Sequence, residues 1–183
     1  MEIIEKKNSN FKYNEPAFNS KVVQMRRVSK TLKGGKKLTF SAVIIVGDNH
    51  GKVGVGLGRA NDANVAVDRA TASAKKHLFQ VPITKNDSIP HIVQAKFGAC
   101  EVLIKPAKTG TGVIAGGSVR TVLELAGLKN ILAKQLGSNN IINNARATLV
   151  ALSKLQTTKT LCKDRSISFK IFRNRILSTY QKV

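Results

Sequence analysis

The sequence predicts an α+β protein of two domains, a β-β-β-α unit followed by a β-β-α-β-α unit. Three observations carry this. Apolar residues alternate with a period of two over Leu38–Val46 and Val53–Leu57, then recur at spacings of three and four from Ala63 to Leu78. A polar stretch flanked by Pro82 and Pro90 interrupts the pattern, and the same change of period returns between His91 and Leu152. The chain has 183 residues, 42% of them apolar, enough for packed cores and for one or two domains. The expected divisions are a flexible arm over 1–20, a first domain over 21–81, a connector over 82–90, a second domain over 91–155 and a basic tail over 156–183.

Each element has its own signal. Val22, Val23 and Met25 lead into Arg26-Arg27-Val28-Ser29 as a first strand, and Lys33-Gly34-Gly35-Lys36 reads as a turn. The second strand places Leu38, Phe40, Ala42, Ile44 and Val46 on an inward face. After a turn at Gly47–Gly51, the third strand alternates Val53, Val55 and Leu57 with Gly54, Gly56 and Gly58. A face of glycines admits another backbone at close range. A helix capped by Asn61 or Asp62 follows, with Ala63, Val67, Ala70, Ala74 and Leu78 as its buried stripe and Arg69, Lys75 and Lys76 exposed.

In the second unit, Ile92–Lys96 and Cys100–Ile104 form a hairpin around Phe97-Gly98-Ala99. A glycine-rich turn over Thr109–Ser118 opens a helix with Val119, Val122, Leu123 and Ala126 on one face, ended by Gly127. Asn130–Leu136 reads as a strand. Ser138 or Asn139 is placed to cap a last helix carrying Ile142, Ala145, Leu149 and Leu152. A short helix fits the tail beyond Leu155.

The charge is large and uneven. Lys and Arg number 31 against 10 Asp and Glu, for a net charge of +21. Residues 21–40 contribute +7 with no acid, and residues 154–183 another +7. An unbalanced run of this kind around a glycine pair points to a polyanion, with nucleic acid ahead of an anionic membrane. Lysines outnumber arginines 22 to 9, which favours phosphate contact over base reading. Aromatics make up only 5%, with no Trp, so stacking on single strands is disfavoured and structured RNA fits better.

Other classes fall away. The longest apolar run is Ala42–Val46, far short of the ~20 residues of a membrane-spanning helix. Met1-Glu2-Ile3-Ile4-Glu5 has the form of neither a secretory signal nor a transit peptide. Cys100 and Cys162 lack metal-ligand spacing and read as buried thiols. No catalytic or metal-binding constellation involves His50, His77 or His91. Gly110-Thr111-Gly112-Val113-Ile114-Ala115 fits the dinucleotide fingerprint but lacks an acid near Asn130 to hold a ribose. Gly112 to Gly117-Ser118 approaches a phosphate-binding loop but lacks its lysine. No cofactor and no small-molecule substrate is therefore expected. The loop reads as a connection, or as a backbone cradle for an RNA phosphate helped by Arg120.

Arg27-Val28-Ser29-Lys30-Thr31-Leu32-Lys33-Gly34-Gly35-Lys36 resembles the small-subunit ribosomal protein S-five family of bacteria and plastids. The resemblance continues through Val46–Ala60, Gly110–Glu124 and Ala145–Thr148, in family order over about residues 21–155. It implies a first domain similar to a double-stranded-RNA-binding domain and a second α/β domain with a left-handed βαβ crossover. It also implies a structural, non-enzymatic role: binding small-subunit rRNA, neighbouring proteins S-four and S-eight, lining the mRNA entry channel with S-three, and supporting translational accuracy. The implied rRNA contacts centre on the hairpin loop Lys30–Lys36, near the spectinomycin pocket. They are Lys21, Arg26, Arg27, Lys30, Lys33, Gly34, Gly35, Lys36 and Lys37, with Lys52, Arg59, Lys75 and Lys76 as further positions and Gly110, Gly112, Gly116, Gly117 and Arg120 in the second domain. Residues 1–20 and the tail, with Lys170, Arg173 and Arg175, are not matched. The Lys163-Asp164-Arg165 segment and the Lys, Asn and Ile usage resemble cyanobacterial and plastid members. A plastid ribosome is the expected location, and a bacterial cytoplasm the alternative.

Overall fold

The computed structural model describes residues 18–167; residues 1–17 of the expected arm and the tail cations Lys170, Arg173 and Arg175 lie outside the described residues, while the arm's last residues, Asn19 and Ser20, begin a strand. Among the described residues there are two four-stranded sheets. The first has the order β1-β2-β3-β4, with β1 at Asn19–Leu32, β2 at Gly35–Gly47, β3 at Lys52–Ala60 and β4 at Phe79–Gln80. The helix α1, Ala63–Lys76, lies between β3 and β4. All neighbouring strands in this sheet are antiparallel. The second sheet has the order β5-β6-β8-β7, from Val93–Phe97, Cys100–Pro106, Ile131–Gly137 and Val113–Ile114. Helices α2 (Gly117–Leu125) and α3 (Ile141–Ser153) follow β7 and β8, and α4 (Thr158–Asp164) is the last element among the described residues. The two-domain α+β class is thus as predicted. Two short strands, β4 and β7, carry too few residues to show a period.

The three glycines of β3 explain how α1 sits. A methyl group at Gly56 would stand 2.0 Å from the Ala70 carbonyl oxygen, and one at Gly58 2.2 Å from that of Ala66. The helix therefore rests its backbone directly on the sheet. It presents Ala66, Ala70 and Ala74, all fully buried. The stripe differs from the predicted one: Ala66 replaces Ala63, because the turn of the helix at Ala66 is the one that rests on Gly58. Asp62 takes the N-cap position, but its side chain makes no capping hydrogen bond.

The second strand departs from simple alternation. Ala42, Ile44 and Val46 pack toward α1, with Phe40 at the margin. Ile45 and Val53 instead join the larger core formed by the second sheet, α2 and α3. Both faces of Ala42–Val46 are buried, while Leu38, predicted inward, is 47% exposed. An uninterrupted apolar run is the signature of two-sided burial. The turn Gly47–Gly51 closes this junction. Its Asn49 and Gly51 N–H groups donate to the carbonyl oxygens of Leu125 and Ala126 at 3.1 and 3.0 Å, capping the C-terminal end of α2 from the other sheet.

Asn140, not Ser138 or Asn139, caps α3. Its side-chain oxygen accepts from the Ile142 and Asn143 N–H groups at 3.1 and 3.4 Å. Removing it by Asn140→Ala is expected to lower stability by about 1 kcal/mol, read as a shift in the urea midpoint. Cys100 and Cys162 are buried thiols, and Cys100 Sγ lies 3.1 Å from the Ser138 carbonyl oxygen.

Candidate nucleic-acid interface

The β1–β2 pair is longer than the sheet that holds it. Strand β3 reaches only as far as Phe40, opposite Ala60. Beyond that point five residue pairs, Val28–Thr39 out to Leu32–Gly35, continue as a two-stranded ribbon, projecting roughly 16 Å at ~3.3 Å per residue. The predicted loop Lys30–Lys36 is therefore mostly strand, and only Lys33-Gly34 turns the chain. The β1–β2 pairing simply continues to Leu32–Gly35, and nothing lies within 4 Å of a methyl group built on Gly34 or Gly35.

Register distributes the cations over both faces. Lys30 stands directly opposite Lys37, with Val28 and Arg26 further along the same face. Arg27, Ser29, Thr31, Lys36 and Leu38 share the other face. Arg26, Arg27, Lys30, Lys33, Lys36 and Lys37 are all exposed, and none makes an ion pair among the described residues. Like charges directly opposed across strands are destabilising in isolation, and an anion bridging them reverses the sign of that interaction.

At the base of the ribbon a cleft of about 360 Å³ is lined by Lys37, Thr39, Arg59, Asn61, Asp62 and Arg69, among others. Arg69 Nη1 donates to the Arg59 carbonyl oxygen at 2.9 Å, which holds its guanidinium over the β3 end. Arg69 was absent from the sequence-derived contacts. Its spacing of seven from Asp62 puts it two turns into α1, but only the packing of α1 on β3 brings it to Lys37.

The other predicted positions separate into three places. Lys52 begins β3, opposite Gln80, at the end of the sheet remote from the ribbon tip. Lys75 and Lys76 are in the last turn of α1 near that end, where cations also suit the helix dipole. Lys21 and Arg120 converge on Glu124: Arg120 Nε lies 2.6 Å from Oε1 and Lys21 Nζ 3.6 Å from Oε2. Glu124 thus joins β1 to α2. The Arg120 hydrogen bond, followed by the charges of Lys21 and Arg120, holds its carboxyl below the usual carboxylate range despite a partial desolvation penalty. A depressed acid stabilises the fold above its unfolded pKa and loses that contribution as pH falls through the folded value. Glu124→Gln is expected to flatten the acid limb of a thermal-midpoint titration, by no more than about 1 kcal/mol for so exposed a pair.

The glycine-rich turn does not have nucleotide-site geometry. Gly110 and Gly112 adopt φ of +91° and +79°, which favour glycine, with open space around both. The strand β7 lies between them and α2, whose N-cap is Gly116, so the expected strand–turn–helix sequence is broken. Asn130, the position where a ribose-binding acid would be sought, accepts the Gly110 N–H on its Oδ1 at 2.9 Å. A methyl group at Gly116 would meet the movable amide end of the Gln135 side chain at 2.7 Å. Gly117 faces open space.

A two-sheet α+β chain whose cationic ribbon makes no ion pair among the described residues has the surface of a polyanion-binding protein. Residues 18–82 match the family described as "Ribosomal protein S5, N-terminal domain", and residues 95–165 match "Ribosomal protein S5, C-terminal domain". The chain is 59% identical over 150 residues to "Small ribosomal subunit protein uS5" of Prochlorococcus marinus (strain NATL1A), covering 82% of this chain and 72% of that one. It is 56% identical over 153 residues to "Small ribosomal subunit protein uS5c" of Cyanophora paradoxa, covering 84% and 90%. The protein of the same name from Rhodomonas salina is 55% identical over 163 residues, covering 89% and 97%. The chain belongs to the ribosomal protein S5 family. It is a structural protein of the small ribosomal subunit with rRNA as its partner, and its cyanobacterial and uS5c relatives are consistent with a plastid ribosome.

Proposed function

We propose that the β1–β2 ribbon is the principal rRNA contact of this protein. The observation that carries the reading is Lys30 opposite Lys37 on a ribbon that extends past β3, with no ion pair to either among the described residues. Arg26, Arg27, Lys33, Lys36 and the open Gly34-Gly35 backbone complete that surface, and Arg59 with Arg69 extends it into the cleft at the base. Gly110, Gly112, Gly116, Gly117 and the Lys21 and Arg120 cations form a second contact, where Glu124 sets the direction of both cations. Lys52, Lys75 and Lys76 form a third.

In this reading residues 21–81 and 91–155 are the two domains. The protein helps line the mRNA entry channel beside S-three, touches S-four and S-eight, and supports translational accuracy in a plastid ribosome. Co-sedimentation tests the first step: the chain should stay with small subunits at moderate salt. Hydroxyl-radical cleavage from iron chelate tethered at Ser29→Cys should then cut one compact rRNA region. Diffuse cleavage, or none in assembled subunits, would overturn the ribbon assignment.

A further inference from the structure

Strand β2 runs without a break from the ribbon to the other unit. It starts at Gly35, beside the ribbon turn, and ends at Gly47, against the C-terminal end of α2. The contact there is backbone on backbone, in both directions. A methyl group at Gly47 would stand 2.1 Å from the Leu125 carbonyl oxygen, and one at Gly127 2.1 Å from that of Asn49. Gly127 also has a φ of +89°, the left-handed turn out of a helix that favours glycine. The Asn49 and Gly51 N–H groups donate to Leu125 and Ala126 within the same contact. Backbone held this way has no rotamer to relax into, unlike a contact between side chains.

The surrounding contacts leave no hinge. Val53 of β3 and Val81, just past β4, are buried in one core with Leu123, Ala126 and Leu128. The Val81 N–H donates to the Gly51 carbonyl oxygen at 2.7 Å. The segment 82–90, where a hinge would be sought, is tied down as well. Its Asp87 carbonyl oxygen accepts the Lys129 and Asn130 N–H groups at 2.8 and 3.1 Å, and Ser88 Oγ donates to the Asn130 carbonyl oxygen at 2.6 Å. Such a junction bears on binding. Two surfaces held in one fixed relation meet a folded partner together, without each losing its orientational freedom separately.

We propose that Gly47 and Gly127 are positioning residues for rRNA binding, locking α2 to β2 so that the second unit sets the direction in which the ribbon meets the rRNA. The proposal rests on the ribbon as an rRNA contact and on the second unit being held in the subunit as well. Spin labels at Ala72→Cys on α1 and Ser153→Cys on α3 read the junction directly, since both positions are exposed and the native Cys100 and Cys162 are buried. The free protein should give one narrow distance distribution, unchanged in assembled subunits. Gly127→Ala should broaden it and weaken binding to subunits stripped of this protein by roughly tenfold or more. The salt slope should stay the same, because the phosphate contacts themselves remain. Gly98→Ala is the control. Its φ is +61°, yet the nearest atom to an added methyl is 3.6 Å away, so it carries the backbone strain without the clash and should alter neither reading. A broad distribution in the native free protein, or a narrow one in Gly127→Ala, would sink the proposal. So would a broadened variant that binds as tightly as the native chain, or a binding loss with a flatter salt slope. Should Gly127→Ala fail to fold, hydrogen exchange in the native protein decides instead. The Asn49 and Gly51 amides should exchange only with global unfolding, and exchange by local opening ahead of the β2 and α2 core would rule the lock out. Failure of the ribosomal or ribbon reading shows elsewhere, as loss of co-sedimentation or diffuse cleavage from Ser29→Cys in the native background.

Discussion

Replacing Lys33, Lys36 and Lys37 together by alanine is expected to weaken rRNA binding and flatten its salt dependence while leaving the fold intact. Each lost phosphate contact removes roughly 0.7–0.9 from the slope of log affinity against log salt, so the triple variant should lose about 2–3. The deficit is therefore largest at low salt and shrinks as salt rises. All three side chains are exposed, without ion pairs among the described residues, so folding does not depend on them. Stability should stay level or rise slightly, because Lys37→Ala removes a like charge facing Lys30. Binding titrations at several salt concentrations read the slope, and thermal unfolding reads the fold. An unchanged slope would remove the ribbon tip from the RNA interface.

Gly56→Val is expected to destabilise the first sheet by about 3 kcal/mol or more, at the upper end of what overpacking costs. The added carbons would meet the Ala70 carbonyl, the Ala74 N–H and the Ala74 methyl, at 2.0, 2.6 and 2.9 Å from the first of them. Two of those three are backbone, so no rotamer change relieves the clash. The helix must lift, exposing Ala66, Ala70 and Ala74 along with Ile44 and Val46. That loss is a large share of a typical stability of ~5–15 kcal/mol. Gly34→Ala is the control: nothing lies within 4 Å of its added methyl, and the change should stay within about 0.5 kcal/mol. Urea midpoints distinguish the two. Equal midpoints would mean that α1 does not rest on the glycine face.

These two glycines show why some features were legible in the chain and others were not. Glycine at every second position of β3 announces a close backbone approach, and the following helix, rich in alanine, is its natural occupant. The position of the helix stripe was less legible, because Ala63 and Ala66 are chemically equal and only the contact with Gly58 chooses between them. Similarly, the Lys and Arg run around Gly34-Gly35 marks a polyanion surface. Whether it forms a loop or a ribbon is decided by how far β1 and β2 stay paired beyond the end of β3, five residue pairs here, which the charge run does not encode.

The second unit repeats the contrast. The resemblance to a glycine-rich nucleotide site dissolves once β7 is seen between Gly112 and α2, and a two-residue strand leaves no periodic trace. Arg120 carries a visible charge, but its pairing with Glu124 and Lys21 joins positions far apart in the chain. The junction of the units was hidden for a different reason. Gly47 and Gly127 read as a turn residue and a helix end, and a sequence does not say which distant backbone each will meet.

By itself the sequence determined the two α+β units, the cationic segment at 21–40, the glycine face of β3 and, through its family motifs, the small-subunit family. These rest on periodicity, composition and local chemistry, which act between near neighbours in the chain. Tertiary structure alone decided that Ile45 belongs to the second unit's core and that Lys30 faces Lys37. It also decided that Arg69 joins Lys37 and that Asn49 caps α2. Each of those depends on strand register or on the packing of one sheet against another, where a shift of a single residue would reverse the outcome.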